Sequence, residues 1–304
     1  GEDPAAWFDG SPHAPAPVGP DETGRPPEGA EALDLPDWLE GPLRQALGDE
    51  AEAVARAMRR RAPVFLRVNL PRISRDAAQA RLAAEGIATI PHELAASALQ
   101  VTQNERKLQG SKAYAEGLVE LQDVSSQAVV EAIPLADGAR VLDLCAGGGG
   151  KTLALAARAK TKLFAHDALP RRMVDLPERA KRAGVVVKIT ENPEKTAPYD
   201  VILTDVPCSG SGSWRRDPEG KWRLTEARLA ELTALQANIL DRAAQMVDAE
   251  GMLAYATCSL LRAENEDQIA AFLARSPGWQ LRLERRFSPL QDGDGFYLAL
   301  LKRV

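Results

Sequence analysis

The stretch VLDLCAGGGGKT, residues 141–152, decides the fold. An apolar run of strand type breaks into four glycines, and the helical stretch TLALAARAK follows. Glycine lets a backbone come close to a ligand, and a helix N-terminus offers it free amide groups. A phosphate loop would need glycine five residues before Gly150, where the chain has Cys145, so that reading fails. A dinucleotide fingerprint would need its third glycine at Thr152 and fails too. Two readings remain: a purely structural turn, and an S-adenosylmethionine site in which Asp167, after the next strand, takes the ribose hydroxyls.

Working outward, strands and helices alternate. KLFAHDA (162–168), VVVKIT (185–190), DVILTDVP (200–207) and MLAYATCS (252–259) read as strands, and GFYLALLKR (295–303) closes the chain as another. Helices are expected at 178–184, 226–246 and 264–275. Continuous apolar strands separated by helices indicate an α/β domain, a mostly parallel sheet with helices on both faces, over 126–304. Ligands of such folds bind at the carboxyl ends of the strands. Cys145, Asp167, Asp205 and Cys258 all fall at strand ends, so one rim of the sheet should gather them.

Towards the N-terminus, VFLRVNL (64–70) reads as a strand and 75–85 as a helix closed by Gly86. With the helical pattern from Leu35 onward, and the basic cluster AVARAMRRR (53–61), this makes a small α+β module over 36–125. Residues 1–35 are rich in Pro, Gly, Asp and Glu and read as an acidic linker or disordered tail. Residues 1–52 hold 13 acidic residues against Arg25 and Arg44, so the overall charge of −5 conceals a mildly basic body. That permits a polyanionic partner without demanding one.

Several classes are excluded or disfavoured. No apolar run is long enough to span a membrane. The start at Gly1 gives no sign of a signal peptide. Three scattered cysteines make no disulfide framework, and a reducing, cytosolic setting is expected. No metal is expected, since there is no C-x-x-C pair and His13, His92 and His166 lack ligand-like spacing. There is no G-x-S-x-G nucleophile elbow either, and His166 reads as structural or solvent-facing.

Two further motifs carry chemistry. TDVPCSGSGSWRRDPEGKWR (204–223) sets Asp205 and Cys208 at a strand end, then interleaves Arg215, Arg216, Lys221 and Arg223 with Trp214 and Trp222. Such a row suits phosphate contact and base stacking, with a solvated basic loop as the plain alternative. YATCSLLRAENED (255–267) sets Cys258 at another strand end. A lone cysteine is commonly a small buried hydrophobe. Here all three cysteines of the chain fall inside the three strand-end motifs, which argues for chemistry at Cys258.

LDLCAGGGGKT, TDVPCSGSGSWRRDP…KWR and YATCS…ENE resemble, in order and spacing, the signature motifs of the Nol/Nop/Sun RNA cytosine-5 methyltransferases. FLRVN (65–69), LQDVSSQ (121–127) and DGFYLALLKR (294–303) extend the likeness to about residues 36–304. The resemblance implies a Rossmann-like class I methyltransferase domain behind an RNA-recognition module, acting on RNA, ribosomal RNA first and transfer RNA second; a monomer is expected, although nothing in the sequence fixes the oligomeric state. It implies Cys258 as nucleophile and Cys208 as the thiol that helps release product. Cys145, Ala146, Gly147, Gly148, Gly149, Gly150 and Lys151, with Asp167, Glu191 and Asp205, would line the S-adenosyl-L-methionine pocket, Cys145 by packing beneath it. The family usually has Ala-Pro where this chain has Gly147-Gly148, and its bacterial ribosomal members tend to carry a further helical N-terminal domain.

The chemistry fits those residues. Carbon 5 of cytosine is a weak nucleophile until a thiolate adds to carbon 6. A free thiol titrates near ~8.5, so the site must favour the thiolate. Asp205 is placed to hydrogen-bond the pyrimidine edge, and Arg215, Arg216, Lys221 and Arg223 to hold the flanking phosphates of an unpaired or flipped nucleotide. Two rivals stand beside this reading: an amino-group methyltransferase, whose motif would want an aromatic at position 208, and a non-catalytic RNA-binding assembly factor.

Overall fold

The computed structural model describes residues 6–21 and 24–304. Of the tail read at 1–35, residues 1–5, 22 and 23 lie outside the described residues. Its last part is not a free linker. A helical turn, α1 (Gly29–Ala32), leads into Leu33 and Leu35, which are buried with Leu39 and Leu43 of α2 (Asp37–Leu47) and Val54 of α3 (Ala51–Met58). Their partners are Trp214, Leu224, Leu260 and Leu261, from a distant part of the chain. Burying each such leucine is worth about 1.5–3 kcal/mol, enough to order a segment whose local composition reads as disordered.

The next elements form the small module: β1 (Val64–Val68), α4 (Arg75–Ala84), β2 (Ala88–Pro91), β3 (Ala98–Gln103), α5 (Lys112–Ala115) and β4 (Val119–Leu121). The Ser74 side chain caps α4 and that of Ser111 caps α5. The sheet runs β2-β3-β1-β4 with antiparallel neighbours, the ferredoxin-like β-α-β-β-α-β arrangement. Alternation along β1 buries Leu66 and Val68 under the module's own helices and turns Phe65 toward the larger domain.

That domain follows as α6 (Val124–Glu131), β5 (Arg140–Asp143), α7 (Gly150–Ala156), β6 (Lys162–Ala165), α8 (Leu176–Ala183), β7 (Lys188–Ile189), β8 (Tyr199–Asp205), α9 (Gly220–Arg223), α10 (Glu226–Ala244), β9 (Val247–Thr257), α11 (Glu266–Arg275), β10 (Trp279–Phe287) and β11 (Phe296–Arg303). Its sheet is ordered β10-β11-β9-β8-β5-β6-β7. Five strands are parallel, and β11 and β10 add an antiparallel hairpin at one edge. Val201 and Leu203 face one core cluster and Ile202 the other, as do Val141 and Leu142. Burial on both faces explains why these strands read as continuous apolar runs. The chain winds from β5 outward through β6 and β7, then crosses back to β8 and β9, so strand order reverses between β5 and β8. A crevice opens at such a reversal, outside the carboxyl ends of the strands. Among the described residues no helix is long and apolar enough to cross a membrane.

Two sequence expectations change. The strand expected at 185–190 shrinks to Lys188–Ile189, an exposed edge with no core to bury. The strand β10 was not expected at all, because WQLRLERRF lies at the opposite edge, half exposed and rich in charge.

Candidate active site

The rim at the strand reversal receives Cys145 to Gly150 from β5, His166 and Asp167 from β6, Asp205 to Cys208 from β8, and Cys258 from β9. The β5 turn uses glycine where φ is positive, at Gly147 (φ 49) and Gly149 (φ 82). A Cβ on Gly149 would sit 2.3 Å from Leu176 Cδ1, so α8 packs directly on the turn. The Gly147 amide donates to Asp167 Oδ2 (2.9 Å), and the Leu169 amide to Oδ1 (2.9 Å). Asp167 thus locks the turn, and Arg172 pairs with the same carboxylate at 3.1 Å.

Beside the turn lies a cavity of about 370 Å³ whose walls include Leu144, Cys145, Asp167, Arg172, Pro207 and Ile239. Apolar walls with one buried carboxylate suit a nucleoside, with room for a base and an acceptor for ribose hydroxyls. Beneath the turn, Asp143 accepts from Thr152 Oγ1 (2.7 Å), while its Oδ1 has no hydrogen-bond partner among the described residues. Burial pushes the Asp143 carboxyl up to about 7. Burial, followed by the charges of Asp143, Asp205 and Asp167, drives the Cys145 thiol upward. It therefore stays neutral. Glu191 is exposed on the loop after β7 and does not line this cavity. His166 is buried, with Nδ1 3.0 Å from the Thr190 carbonyl oxygen.

The two remaining cysteines meet: Cys208 Sγ lies 3.4 Å from Cys258 Sγ. The hydrogen bond from the Cys208 thiol holds Cys258 below the ordinary thiol range, against burial and Asp205 and helped by Lys151 and Ser213. The same contact, with burial, lifts Cys208 well above it. The pair is therefore polarised, Cys258 being the thiol that loses its proton more readily and Cys208 the one that keeps it. Lys151 donates to Asp205 Oδ2 (2.8 Å) and lies 4.6 Å from the Phe296 ring centroid. Burial pulls its ammonium down, but Asp205 outweighs that and leaves its pKa above the ordinary lysine value.

Sequence reasoning assigned no role to the residue that fastens the two cysteine loops together. Glu264, fully buried, accepts from the Ser209 amide (2.8 Å), from Gln236 Nε2 (3.0 Å) and from the hydroxyls of Ser209 and Ser259. Ser209 follows Cys208 and Ser259 follows Cys258, so one carboxylate sets both thiols. Asn265 adds a bond from Thr257 Oγ1 (2.6 Å) and one to the Ser259 carbonyl (2.9 Å). The motif ENE was the available signal; its meaning depends on two loops meeting in space.

The basic row needs correction. The Arg215 side chain is only 4% exposed and sits against Asp294 (2.8 Å) and Asp123 (3.8 Å). Lys221 is buried and paired with Asp34. Neither is free to hold a phosphate, because each neutralises a carboxylate from a distant segment. Arg216 is half-buried and pairs with Asp294 and Asp123. Arg223 is exposed, pairing with Asp217 and Glu219. Trp214 is core rather than a stacking platform, whereas Trp222 is exposed.

A doubly covered, mostly parallel sheet with a nucleoside-sized cavity at its strand reversal is a Rossmann-like architecture, the fold class of the class I methyltransferases. The family model of the 16S rRNA methyltransferases RsmB/F matches residues 130–302, and that of the RsmF/B-like ferredoxin-like domain matches residues 35–106. The chain belongs to this RsmB/F methyltransferase family. It is 35% identical over 285 residues to the ribosomal RNA small subunit methyltransferase B of Klebsiella pneumoniae, covering 88% of this chain and 66% of that protein. The crystal structure of PH0851 superposes with a TM-score of 0.85 at 30% identity, over 93% of this chain and 70% of that one. NSun6 from Pyrococcus horikoshii, solved with SFG, shares the fold at a TM-score of 0.78 and 18% identity, over 88% of this chain and 98% of that one.

Proposed function

We propose that the chain methylates carbon 5 of a cytosine in RNA, ribosomal RNA of the small subunit being the favoured substrate. The single observation that carries this reading is the polarised thiol pair, Cys208 Sγ 3.4 Å from Cys258 Sγ, beside the Lys151–Asp205 pair. An amino-group methyltransferase has no use for a thiolate there. Small-subunit ribosomal RNA is favoured because the curated Klebsiella relative acts on it by name.

In this mechanism Cys258 Sγ attacks carbon 6 of an unstacked cytosine. A sulfur–carbon bond forms, and the electron pair of the 5,6 double bond moves toward carbon 5. Asp205, oriented by Lys151, hydrogen-bonds the pyrimidine edge and steadies the charge that develops on the ring. S-adenosylmethionine, held by the turn 145–151 and Asp167, supplies the electrophilic methyl carbon when bound. Cys208, in contact with Cys258, gives up its thiol proton to water and then, as the base, takes the carbon 5 proton, directly or through a water. The electrons of that C–H bond restore the double bond and expel the Cys258 thiolate.

The test is methyl transfer from labelled S-adenosylmethionine to total RNA from a strain lacking this gene, with nucleoside analysis. Label in 5-methylcytidine is expected, and fractionating the RNA then identifies the substrate. Label in another nucleoside overturns the two-cysteine mechanism.

A further inference from the structure

The turn that faces the cofactor cavity has almost no side chains of its own, yet two arginines lie where side chains would be. A Cβ on Gly147 would meet Arg172 Nη2 at 3.2 Å, and one on Gly148 would meet Arg179 Nη1 at 3.2 Å. Arg179 Nη1 also donates to the Gly148 carbonyl oxygen. Its other terminal nitrogen, Nη2, lies 3.6 Å from Oε1 of Glu120, a buried residue on β4 of the ferredoxin-like module. Arg182, one turn along the same helix, holds the second oxygen of Glu120 at 2.8 Å.

The helix that carries these residues reaches from the turn to the module. At its N-terminal end Leu176 packs on Gly149. At its C-terminal end the Arg182 carbonyl accepts from Arg72 Nη1 (2.9 Å), and the Ala183 carbonyl accepts from Asn69 Nδ2 (2.9 Å). Asn69 also donates to Gly117 within the module (3.0 Å), which fixes the side chain that holds this end of the helix. Helix α8 is thus a strut between the module and the cofactor turn.

We propose that Arg179, braced by Glu120, is a positioning residue for the cofactor, so that the module completes the S-adenosylmethionine site instead of serving RNA alone. This rests on the cofactor reading above. A guanidinium suits the task because its planar fork serves two partners at once, which a lysine ammonium on a flexible stem does less well. Holding an otherwise loose glycine turn in its binding conformation lowers the ordering cost of binding. The coupling is reciprocal, so whatever shifts the module against α8 also shifts cofactor affinity.

The experiment is calorimetric titration of S-adenosylhomocysteine into the full chain, which reads binding without turnover. Arg179→Ala should weaken binding on the order of tenfold. Arg179→Lys should fall between that variant and wild type, and Glu120→Gln should weaken binding in the same direction. Gly148 has no positive φ, so the double variant Arg179→Ala/Gly148→Ala should recover part of the loss: removing the guanidinium makes room for a Cβ that stiffens the turn. A merely structural role for Arg179 predicts no such rescue. Amide hydrogen exchange at residues 147–150 of the ligand-free chain should quicken in Arg179→Lys, which keeps the charge if the alanine variant folds poorly. Equal affinity in wild type and both Arg179 variants overturns the inference. Failure of the wild-type chain to bind S-adenosylhomocysteine overturns the cofactor reading itself.

Discussion

Cys208 and Cys258, fifty positions apart in sequence, bring their sulfur atoms within 3.4 Å because β8 and β9 are parallel neighbours that end at the same rim. The contact assigns different work to each thiol. With Cys258→Ala, methylation should fall to background in the transfer assay, since no other thiolate is poised there. With Cys208→Ala, attack and transfer survive while release fails, so a denaturant-resistant protein–RNA adduct should accumulate on gels. Full activity without an adduct in the second variant would remove Cys208 from the mechanism.

The same pair makes a pH prediction. The Cys208 hydrogen bond is the largest influence holding Cys258 low, and Lys151 adds to it. Alkylation of Cys258 by iodoacetamide, followed by mass spectrometry, should therefore rise with pH through a midpoint below that of a free thiol. Replacing Cys208 with Ala, or Lys151 with Met, should move the midpoint upward. A midpoint unchanged in both variants would show that the thiolate owes nothing to its neighbours.

What the sequence made legible was whatever is locally encoded. The runs 141–144 and 201–205 announce strands buried on both faces, and the glycines after the first announce a tight turn at a helix start. Legibility failed wherever meaning depends on a distant partner. Arg215 and Lys221 look like an RNA-facing row until Asp294, Asp123 and Asp34 arrive from elsewhere in the chain. Leu33 and Leu35 look like part of a tail until Trp214 and Leu260 bury them. Glu264 is one acid among several in ENED until the loops of both cysteines converge on it.

The reassignment of Arg215 is open to measurement. Arg215→Met leaves Asp123 and Asp294 to share Arg216 alone, and Asp123 is already pushed up by burial and by Asp294. Leaving a buried charge wholly unpaired costs about 3–5 kcal/mol, and Arg216 offsets part of that, so urea denaturation should show a clear but smaller loss. Arg223→Ala, at an exposed site, should stay within ~0.5 kcal/mol of wild type. If Arg215 held a phosphate instead, its loss would lower the salt dependence of RNA binding by about one unit of slope while leaving stability alone.

Asp143 gives the chain a second pH signature. Burial raises its carboxyl from 3.8 in the unfolded chain to about 7 in the folded one. Between those values the folded state keeps a proton that the unfolded state has lost. Stability is therefore highest below the unfolded value, declines as pH rises through the window, and levels off above the folded value. The contribution to the slope is at most about 1.4 kcal/mol per pH unit, the equivalent of one proton. Asp143→Asn keeps an acceptor for the Thr152 hydroxyl without a titrating group, so its stability should lack this decline. Denaturation midpoints of the ligand-free chain from pH 4 to 8 test it: parallel curves for wild type and variant would mean that Asp143 titrates normally in the folded protein.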